Sequence, residues 1–275
     1  MPQEIHDHGK QLLEEGSCEI VIPKSEQKED LKKAIRDCDA VLVRTTVIDQ
    51  EVIDEAKQLK VIARHGVGLD NVDIPYATEK GIYVCNAPTA NINSVAEHVV
   101  GMMVSLFHQI FRGDRAIRQG DFSVRNQYIG FELKHKTVGL IGVGQIGKLV
   151  AEKCHFGFGM KIMAYDPFIK DVPSYIELVD TTEQIFKDSD VVSLHVPYLE
   201  ELHHFVGETE FNLMKSTAFL INAARGGLVD EQALLNAIDS NEIFGAALDC
   251  FEIEPTPIDH PLFETDRVIV TPHMA

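Results

Sequence analysis

Hydrophobic residues in the first 90 positions alternate between short apolar runs and helical spacing. A helix is predicted over residues 4–15, with Ile5, Leu12 and Leu13 on its apolar face and Gly16 as a stop signal. Strands and helices then follow in turn: strand 18–22, helix 28–37, strand 40–44, helix 50–58, strand 61–64, helix 75–80 and strand 82–85. This alternation predicts a parallel sheet with covering helices, and therefore an α/β fold class.

A long apolar segment separates these elements from a second group. Residues 94–111 are apolar on most sides of a helix, which predicts burial in a core or in a subunit interface. Residues 112–132 are polar and rich in arginine, and we expect a surface excursion there. Six further strands are predicted at 138–141, 161–165, 190–196, 218–222, 246–251 and 267–271, with helices at 146–155, 182–187, 208–215 and 230–240, the last capped by Asp230. The pattern predicts two α/β domains, residues 1–88 and 89–275, the second with a six-stranded sheet.

A glycine-rich turn opens the second group, in the stretch TVGLIGVGQIGK at residues 137–148. Gly142 permits a tight turn, Gly144 lets an anion approach bare backbone, and Gly147 allows the helix to pack closely on the strand. A pyrophosphate would then lie on the helix N–H groups that have no partner within the helix. A GxGxxG pattern alone is weak evidence, because glycine turns are common.

A second signal supports a dinucleotide site. The strand at 161–165 ends at Asp166, about 20 residues past the last glycine, where a carboxylate can accept both ribose hydroxyls of NAD. The same carboxylate would repel the 2′-phosphate of NADP, so the sequence favours NAD. The alternative is an aspartate that only caps a turn at the strand end.

Composition and charge limit the class of protein and its partners. The 275 residues are 45% hydrophobic and 25% charged, as in an ordinary globular protein, and no apolar run approaches a membrane span. The net charge of −18 argues against nucleic acid or an anionic membrane as partner, so an anionic substrate needs a local cluster of Arg or Lys. Five cysteines at no metal-ligand spacing suit a reducing cytoplasm, and we expect them to be buried small hydrophobic residues: Cys18, Cys38, Cys85, Cys154 and Cys250.

Polar residues follow several predicted strands of the second domain, at the sheet edge where parallel sheets bind ligands. They are His195, Arg225, Asp249, Glu254 and His273. Each alone has a simpler interpretation, as a loop charge, a turn residue or a core imidazole. Together, an arginine, a glutamate and a histidine meet the needs of hydride transfer to a 2-keto acid. A guanidinium binds the carboxylate and carbonyl, an imidazolium gives the carbonyl oxygen its proton, and a carboxylate keeps that imidazolium charged.

Four segments, VGLIGVGQIG, INAARGGLVDE, ALDCFEIEP and TPH, together resemble the D-isomer specific 2-hydroxyacid dehydrogenase family, in its phosphoglycerate dehydrogenase and hydroxypyruvate reductase branch. Matching segments run over residues 5–273. The resemblance implies an NAD-dependent oxidoreductase with two doubly wound parallel-sheet domains, a flavodoxin-like substrate domain and a Rossmann NAD domain. It also implies a homodimer formed through the cofactor domain.

The resemblance further implies roles for individual residues. Arg225 would bind substrate, and Glu254 and His273 would form the acid/base pair. The residues implied to contact the cofactor are Gly142, Gly144, Gln145, Ile146, Gly147, Asp166, His195, Pro197, Ala223 and Asp249. Those implied to bind or border the substrate are Arg44, Arg64, Val67, Gly68 and Asn93, and no metal is implied.

The chain also departs from the family pattern. Family members begin with a central strand before the first helix and continue after TPH into a further helix, so we expect a chain incomplete at both ends, a fragment or misassigned reading frame with weak or no activity. The strands at 18–22 and 40–44 would then be separated by a gap or forced to pair directly. Smaller departures are Leu199 and Leu202 in place of threonine, and His135 in place of glycine.

Two alternatives to an active enzyme stay open at this stage. One is an NAD(H)-sensing binding protein similar to the C-terminal-binding corepressors, and the other is an inert product that binds NAD through its second domain. The substrate also stays open. Arg44 and Arg64 could accept the phosphate of 3-phosphohydroxypyruvate, but Arg64 could equally be structural, and glyoxylate, hydroxypyruvate and branched keto acids remain candidates.

Overall fold

The computed structural model describes residues 1–275, and these divide into two compact units. The first is Met1–Asn91 and the second is Ile92–Ala275. The division therefore follows residue 91, close to the predicted boundary after residue 88.

The first unit is a three-stranded parallel sheet with helices packed against it. Its elements are α1 (Asp7–Glu15), α2 (Lys28–Ile35), β1 (Ala40–Val43), α3 (Gln50–Glu55), β2 (Val61–Arg64), α4 (Ile74–Glu79) and β3 (Tyr83–Cys85). The strands lie in the order β1-β2-β3. The fully buried side chains of Val43 and Ile62 on the strands pack with Val52 on α3, which fixes these elements as one core.

The predicted strand at residues 18–22 is wrong. This segment has no strand partner, and Val21 and Ile22 are exposed. Residues 18–22 therefore neither pair with the strand at 40–44 nor form a strand set apart from it by a gap. The Val21 carbonyl instead accepts a hydrogen bond from the N-terminal ammonium of Met1 over 2.7 Å. An apolar run becomes a strand only where another strand supplies hydrogen bonds, and sequence pattern alone cannot establish that.

The second unit holds a longer run of elements around a larger sheet. They are α5 (Ile92–Phe107), α6 (Ile110–Arg118), β4 (Thr137–Ile141), α7 (Gln145–Phe158), β5 (Lys161–Tyr165), β6 (Ile176–Leu178), α8 (Thr182–Asp188), β7 (Val191–Leu194), α9 (Glu208–Leu213), β8 (Phe219–Asn222), α10 (Glu231–Asp239), β9 (Gly245–Leu248) and β10 (Val268–Val270). Asp230 caps α10 as predicted, since its carboxylate accepts from the Ala233 N–H.

The sheet of the second unit is parallel, in the order β10-β9-β8-β7-β4-β5-β6. Two buried clusters cover it, one including Phe186 and Phe211, the other including Phe107 and Phe219, whose rings lie 5.0 Å apart. Seven strands replace the predicted six, because β6 was missed. With three residues and a single partner, β5, this edge strand is too short to show a period in the sequence.

The predicted helix at 94–111 is corrected, whereas residues 112–132 lie mostly at the surface, as expected, and begin within a helix. The long helix breaks into α5 and α6 at Gln109, whose φ of 50° is left-handed. The Gln109 side chain is buried: its amide N–H donates to the Ile129 carbonyl, and its oxygen accepts from Arg112. These hydrogen bonds hold the chain at the break between the two helices. The chain then continues as the separate amphipathic helix α6.

The cysteine prediction is also corrected in part. Cys154 and Cys250 are buried, but Cys18 and Cys85 are exposed and Cys38 is half-buried, and all five are free thiols. No helix of the structure combines the length and the apolar character that crossing a membrane requires.

Replacing Gly139 by alanine is expected to destabilise the second unit by about 1–3 kcal/mol, because the site has no room for a methyl group. A Cβ there would lie 2.1 Å from the buried Ser189 Oγ and 2.7 Å from Ile185 Cγ2. The matched control is Gly101→Ala on α5, where a Cβ meets nothing within 4 Å. Helix propensity predicts that the control gains roughly 0.5–1 kcal/mol. Urea denaturation followed by circular dichroism measures both, and equal stability of Gly139→Ala and the parent chain would contradict the expectation.

Candidate active site

The carboxyl ends of the parallel strands form the edge that carries most of the sequence-predicted residues of the second unit, and the glycine turn and His195 follow β4 and β7. These two strands are neighbours in the sheet although β5 and β6 come between them in the chain, so the strand order reverses here. In open parallel sheets a crevice opens at such a reversal, and ligands bind there. The turn after β4 contacts the backbone after β7: a Cβ on Gly142 would lie 2.6 Å from the His195 carbonyl oxygen.

The glycine turn has the predicted form of strand, tight turn and helix. Gly142 has a φ of 94°, a conformation that favours glycine. Gly147, in the first turn of α7, leaves no space for a side chain, since a Cβ would lie 2.4 Å from the Gly142 carbonyl oxygen. Gly144 instead faces open space, with nothing within 4 Å of its Cβ position.

The start of α7 fits a pyrophosphate. Asp49, Asp73, Thr181 and Asp230 cap α3, α4, α8 and α10 with their side chains. The N-terminus of α7 has no side-chain cap, so the first N–H groups, at Gln145, Ile146 and Gly147, stay available to an anion. The open space at Gly144 and this uncapped N-terminus are what the phosphates of a dinucleotide need.

Asp166 follows β5 directly and is fixed by three backbone N–H groups. Its Oδ2 accepts from Val143 in the glycine turn over 2.9 Å, and its Oδ1 accepts from Phe168 and Ile169. The aspartate therefore does cap a turn, as the alternative interpretation held. It also ties the end of β5 to the glycine turn, which places a carboxylate beside the phosphate position, where a ribose would lie.

His195 follows β7, and the residue is half-buried. Burial lowers the pKa of this histidine to about 4, which keeps the ring neutral at physiological pH. Its Nε2 lies 3.0 Å from the Ser193 hydroxyl. Pro197 is exposed two residues further along, and Ala223 is half-buried after β8.

Arg225 lies in a loop after β8 that packs closely on the loop after β9. The Asn222 amide donates to the Arg225 carbonyl over 2.8 Å, which holds the loop to the strand end. Gly226 lies against Phe251, where a Cβ would come within 2.0 Å of the Phe251 carbonyl oxygen. The two loops touch only because residue 226 has no side chain, and this brings Arg225 towards the segment that carries Glu254.

Glu254 and His273 form a hydrogen-bonded pair. The Glu254 Oε2 lies 2.8 Å from His273 Nδ1, and each side chain is about one third exposed. Burial raises the pKa of Glu254, but the hydrogen bonds from His273 and the Phe251 N–H, with the charges of His273 and Arg225, outweigh burial and lower it below its ordinary value. Glu254 is therefore ionised at neutral pH, and its carboxylate lies within hydrogen-bond distance of the His273 ring.

Asp249 is buried and organises the segment that carries His273. Its carboxylate accepts from the Thr271 hydroxyl over 2.5 Å and from the backbone N–H groups of Met274 and Ala275, each over 3.0 Å. His98 on α5 joins this group, with Nε2 3.2 Å from the Thr271 hydroxyl and 3.5 Å from Asp249. Sequence reasoning missed His98 and Thr271; the one available signal was a histidine on an otherwise apolar helix.

The remaining predicted residues lie elsewhere. In the first unit, Arg44 follows β1, and its backbone N–H donates to the Gln3 side chain over 3.0 Å. Arg64 ends β2 and donates to the His65 carbonyl. The residues Val67 and Gly68 follow in the next loop, where Asn86 donates to the Val67 carbonyl. In the second unit Asn93 lies in the first turn of α5, with its amide donating to Glu97.

The glycine turn, the acidic strand end and the Glu–His pair agree with a comparison to known families. Residues 100–275 match the NAD binding domain of the D-isomer specific 2-hydroxyacid dehydrogenases. The chain belongs to that family. The predicted family and α/β fold class are thereby confirmed, as is NAD as the cofactor, because the matched region is the family's NAD binding domain.

Two relatives of this dehydrogenase family member have different named activities. A D-3-phosphoglycerate dehydrogenase from Methanocaldococcus jannaschii is 42% identical over 273 residues, which are 98% of this chain and 51% of the relative. A glyoxylate reductase from Thermofilum pendens is 42% identical over 282 residues, covering 98% of this chain and 83% of the relative. The chain thus spans about half the length of the first relative.

A solved structure also resembles this family member. The D-lactate dehydrogenase of Aquifex aeolicus, crystallised with NAD and lactic acid, superposes with a TM-score of 0.85 at 30% identity. The match covers 98% of this chain and 86% of the other.

Mild acid is expected to destabilise the protein through His195. Its pKa in the folded chain is about 4, while an unfolded histidine titrates near 6.5, so the unfolded chain takes up this proton first. The stability that a neutral His195 provides is complete above about pH 6.5 and is lost as the pH falls towards 4. Urea denaturation of the parent chain and of His195→Gln should therefore give a larger stability difference at pH 7.5 than at pH 5. The exposed His108→Gln is the control, and an equal difference at both pH values would contradict the expectation.

Proposed function

We propose that this protein is an NAD-dependent oxidoreductase that interconverts a D-2-hydroxy acid and its 2-keto acid. The observation that carries the proposal is the 2.8 Å hydrogen bond between Glu254 and His273, next to the Arg225 loop at the edge of the cofactor sheet. Met1–Asn91 is the substrate domain in this proposal, and Ile92–Ala275 is the NAD domain.

His273 is the acid and base. Because its Nδ1 faces Glu254, its Nε2 is the nitrogen left for the substrate. In reduction, Nε2 gives a proton to the carbonyl oxygen, and in oxidation it takes that proton back from the hydroxyl. The nicotinamide, when bound, supplies the hydride that adds to the carbonyl carbon, so proton and hydride together convert the keto group to the alcohol. Glu254 holds the ring through Nδ1 and so directs Nε2 towards the substrate.

Arg225 binds the substrate carboxylate and carbonyl, since a guanidinium offers two parallel donors to a carboxylate. Asp249 contacts the nicotinamide amide, in addition to holding Thr271 and the segment after it. Asp166 holds the adenosine ribose. The remaining roles follow from the family resemblance: Val67, Gly68, Arg44 and Arg64 contact the substrate, and Asn93 borders it.

The substrate is a small 2-keto acid or the corresponding 2-hydroxy acid, in keeping with the names of the relatives. A phosphoglycerate dehydrogenase and a glyoxylate reductase share the same sequence identity with this chain, so the names of relatives do not choose between a phosphorylated and a simple keto acid. A substrate screen that follows NADH oxidation should therefore include 3-phosphohydroxypyruvate, hydroxypyruvate, glyoxylate and branched keto acids. Arg44 and Arg64 are the groups that would favour the phosphorylated compound.

Replacing His273 by glutamine is expected to lower kcat for keto-acid reduction by about 10²–10⁴-fold, since general acid catalysis contributes that much. The affinity for NADH should be unchanged, because His273 lies on a different strand end from the glycine turn. Glu254→Gln should give a smaller loss together with a shifted pH profile. The measurements are NADH oxidation at 340 nm and NADH fluorescence, with the exposed His108→Gln as control. NADH binding without turnover in the parent chain would support a dinucleotide sensor instead.

Replacing Asp166 by alanine is expected to change the preference between the two dinucleotides. The carboxylate disfavours the 2′-phosphate by charge, so its loss should raise kcat/KM for NADPH relative to NADH by at least tenfold, about 1.4 kcal/mol. The same change should weaken NADH binding, because the ribose hydroxyls lose their acceptor. Fluorescence titration with both dinucleotides provides the measurement. An unchanged ratio would mean that Asp166 serves the turn alone.

We further propose a homodimer that acts in the cytoplasm. Support for the dimer comes from apolar side chains of the cofactor domain that are more than half exposed: Ile110 and Ile117 on α6, with Phe122 and Ile129 after it. Such a group of large apolar residues is typical of a subunit interface. Support for the cytoplasm comes from the five free thiols, which a reducing compartment maintains.

A further inference from the structure

Two adjacent imidazoles and a carboxylate face one another outside the proposed active site, and we refer to His203, His204 and Glu252 as the histidine cluster. The histidines follow a short helical turn, Glu200–Leu202, and Glu252 follows β9. The His204 Nε2 lies 3.2 Å from each oxygen of the Glu252 carboxylate. The His203 Nε2 lies 3.7 Å from Oε1 of the same carboxylate. Three potential ligand atoms thus converge within 4.8 Å of one another.

The other nitrogen of each ring also has a polar neighbour. The Tyr198 hydroxyl lies 3.3 Å from His203 Nδ1, and Asp230 Oδ2 lies 3.9 Å from His204 Nδ1. Histidines that bind metals almost always direct their second nitrogen to a carboxylate, a carbonyl or another polar group, which fixes the ring orientation. His203 has this arrangement, with Nε2 towards the shared carboxylate and Nδ1 at hydrogen-bond distance from Tyr198, while the charged Asp230 carboxylate faces His204 Nδ1 from 3.9 Å.

The backbone on both sides of the cluster is held in place. His204 has a left-handed φ of 53°, and its N–H donates to the Gly227 carbonyl over 2.8 Å. This conformation accompanies the stacking of the two rings, whose centroids are 3.9 Å apart. The Glu252 N–H donates to Glu231 Oε1 over 2.9 Å. These backbone hydrogen bonds and the stacked rings hold the segments that carry the three ligand atoms beside one another.

We propose that His203, His204 and Glu252 bind one divalent transition-metal ion of the zinc type. In a zinc site with ligands at about 2.0–2.2 Å, neighbouring ligand atoms lie roughly 3.5 Å apart. The two distances from imidazole Nε2 to Glu252 Oε1, 3.2 and 3.7 Å, bracket that value, and all three ligand atoms lie within 4.8 Å of one another. Two histidines and one glutamate form an open zinc site in which water takes the fourth position.

The chemistry of the ligands and the charge of the chain select the class of ion. Imidazole nitrogen suits zinc, copper and nickel, whereas magnesium and calcium prefer sites built from oxygen alone. Both histidine side chains are between 35% and 44% exposed, so an ion has access from solvent. The net charge of −18 raises the local concentration of cations at the surface.

Calorimetric titration of the EDTA-treated full chain with Zn²⁺ tests the proposal, and Co²⁺ absorption reports the ligand set. We expect one ion per chain and no competition from Mg²⁺. His203→Ala and Glu252→Gln should each weaken Zn²⁺ binding by at least tenfold. Tyr198→Phe keeps the ring that packs on Gly227 but removes the orienting hydroxyl, and about a tenfold loss of affinity is expected. Zn²⁺ should raise Tm of the parent chain, because it binds the folded state.

The matched control is the double variant His6→Asn/His8→Ala, which replaces two exposed imidazoles at the start of α1 while keeping a capping residue. It should bind one Zn²⁺ with unchanged affinity. Thermal unfolding of each metal-free variant establishes that it folds. The proposal is overturned if the parent chain binds no stoichiometric Zn²⁺, if binding persists in both His203→Ala and Glu252→Gln, or if the control loses it. None of these readouts depends on dehydrogenase activity.

Discussion

The hydrogen bond between His273 and Glu254 depends on the parallel pairing of β8, β9 and β10. Because these strands run side by side in the same direction, the segments that leave their carboxyl ends emerge at one edge of the sheet. Asn222, Asp249 and Thr271 then bind across those ends: the Asp249 N–H donates to the Asn222 carbonyl, and the Thr271 N–H donates to the Leu248 carbonyl. The sheet thus brings Arg225, Glu254 and His273, which follow three different strands, to one region.

Residues without side chains make that convergence close enough for chemistry. Gly226 allows the Arg225 loop to touch the Phe251 backbone, and Gly147 allows α7 to contact the Gly142 turn. A methyl group at either position would separate two segments whose contact sets the geometry of the site. The same closeness has an electrostatic result, since Arg225 and His273 together lower the pKa of Glu254 against the effect of its burial. The contacts that this packing creates therefore favour the ionised form of Glu254.

The histidine cluster arises from the same loops and not from a separate structural element. Glu252 lies two residues before Glu254, and the His204 N–H binds the Gly227 carbonyl in the Arg225 loop. The loops that position the proposed catalytic groups thus also carry Glu252 and contact His204. His204 and His273 both have left-handed backbone. This conformation costs about 1–3 kcal/mol, which only well-packed surroundings sustain.

The sequence by itself determined the alternating helices and strands that are long enough to show a hydrophobic period. It also determined the strand–turn–helix at Gly142 and the types of residue at the strand ends. These depend on local hydrophobic period and on backbone requirements that single residues reveal. Only the tertiary structure decided that residues 18–22 form no strand, that Ile176–Leu178 do, and that Gln109 breaks a continuous apolar helix. It also brought His98 to Asp249 and His203 to Glu252. Strand partners, buried side-chain hydrogen bonds and contacts between distant loops are properties of neighbours in space, and local sequence does not encode which neighbours a residue will have.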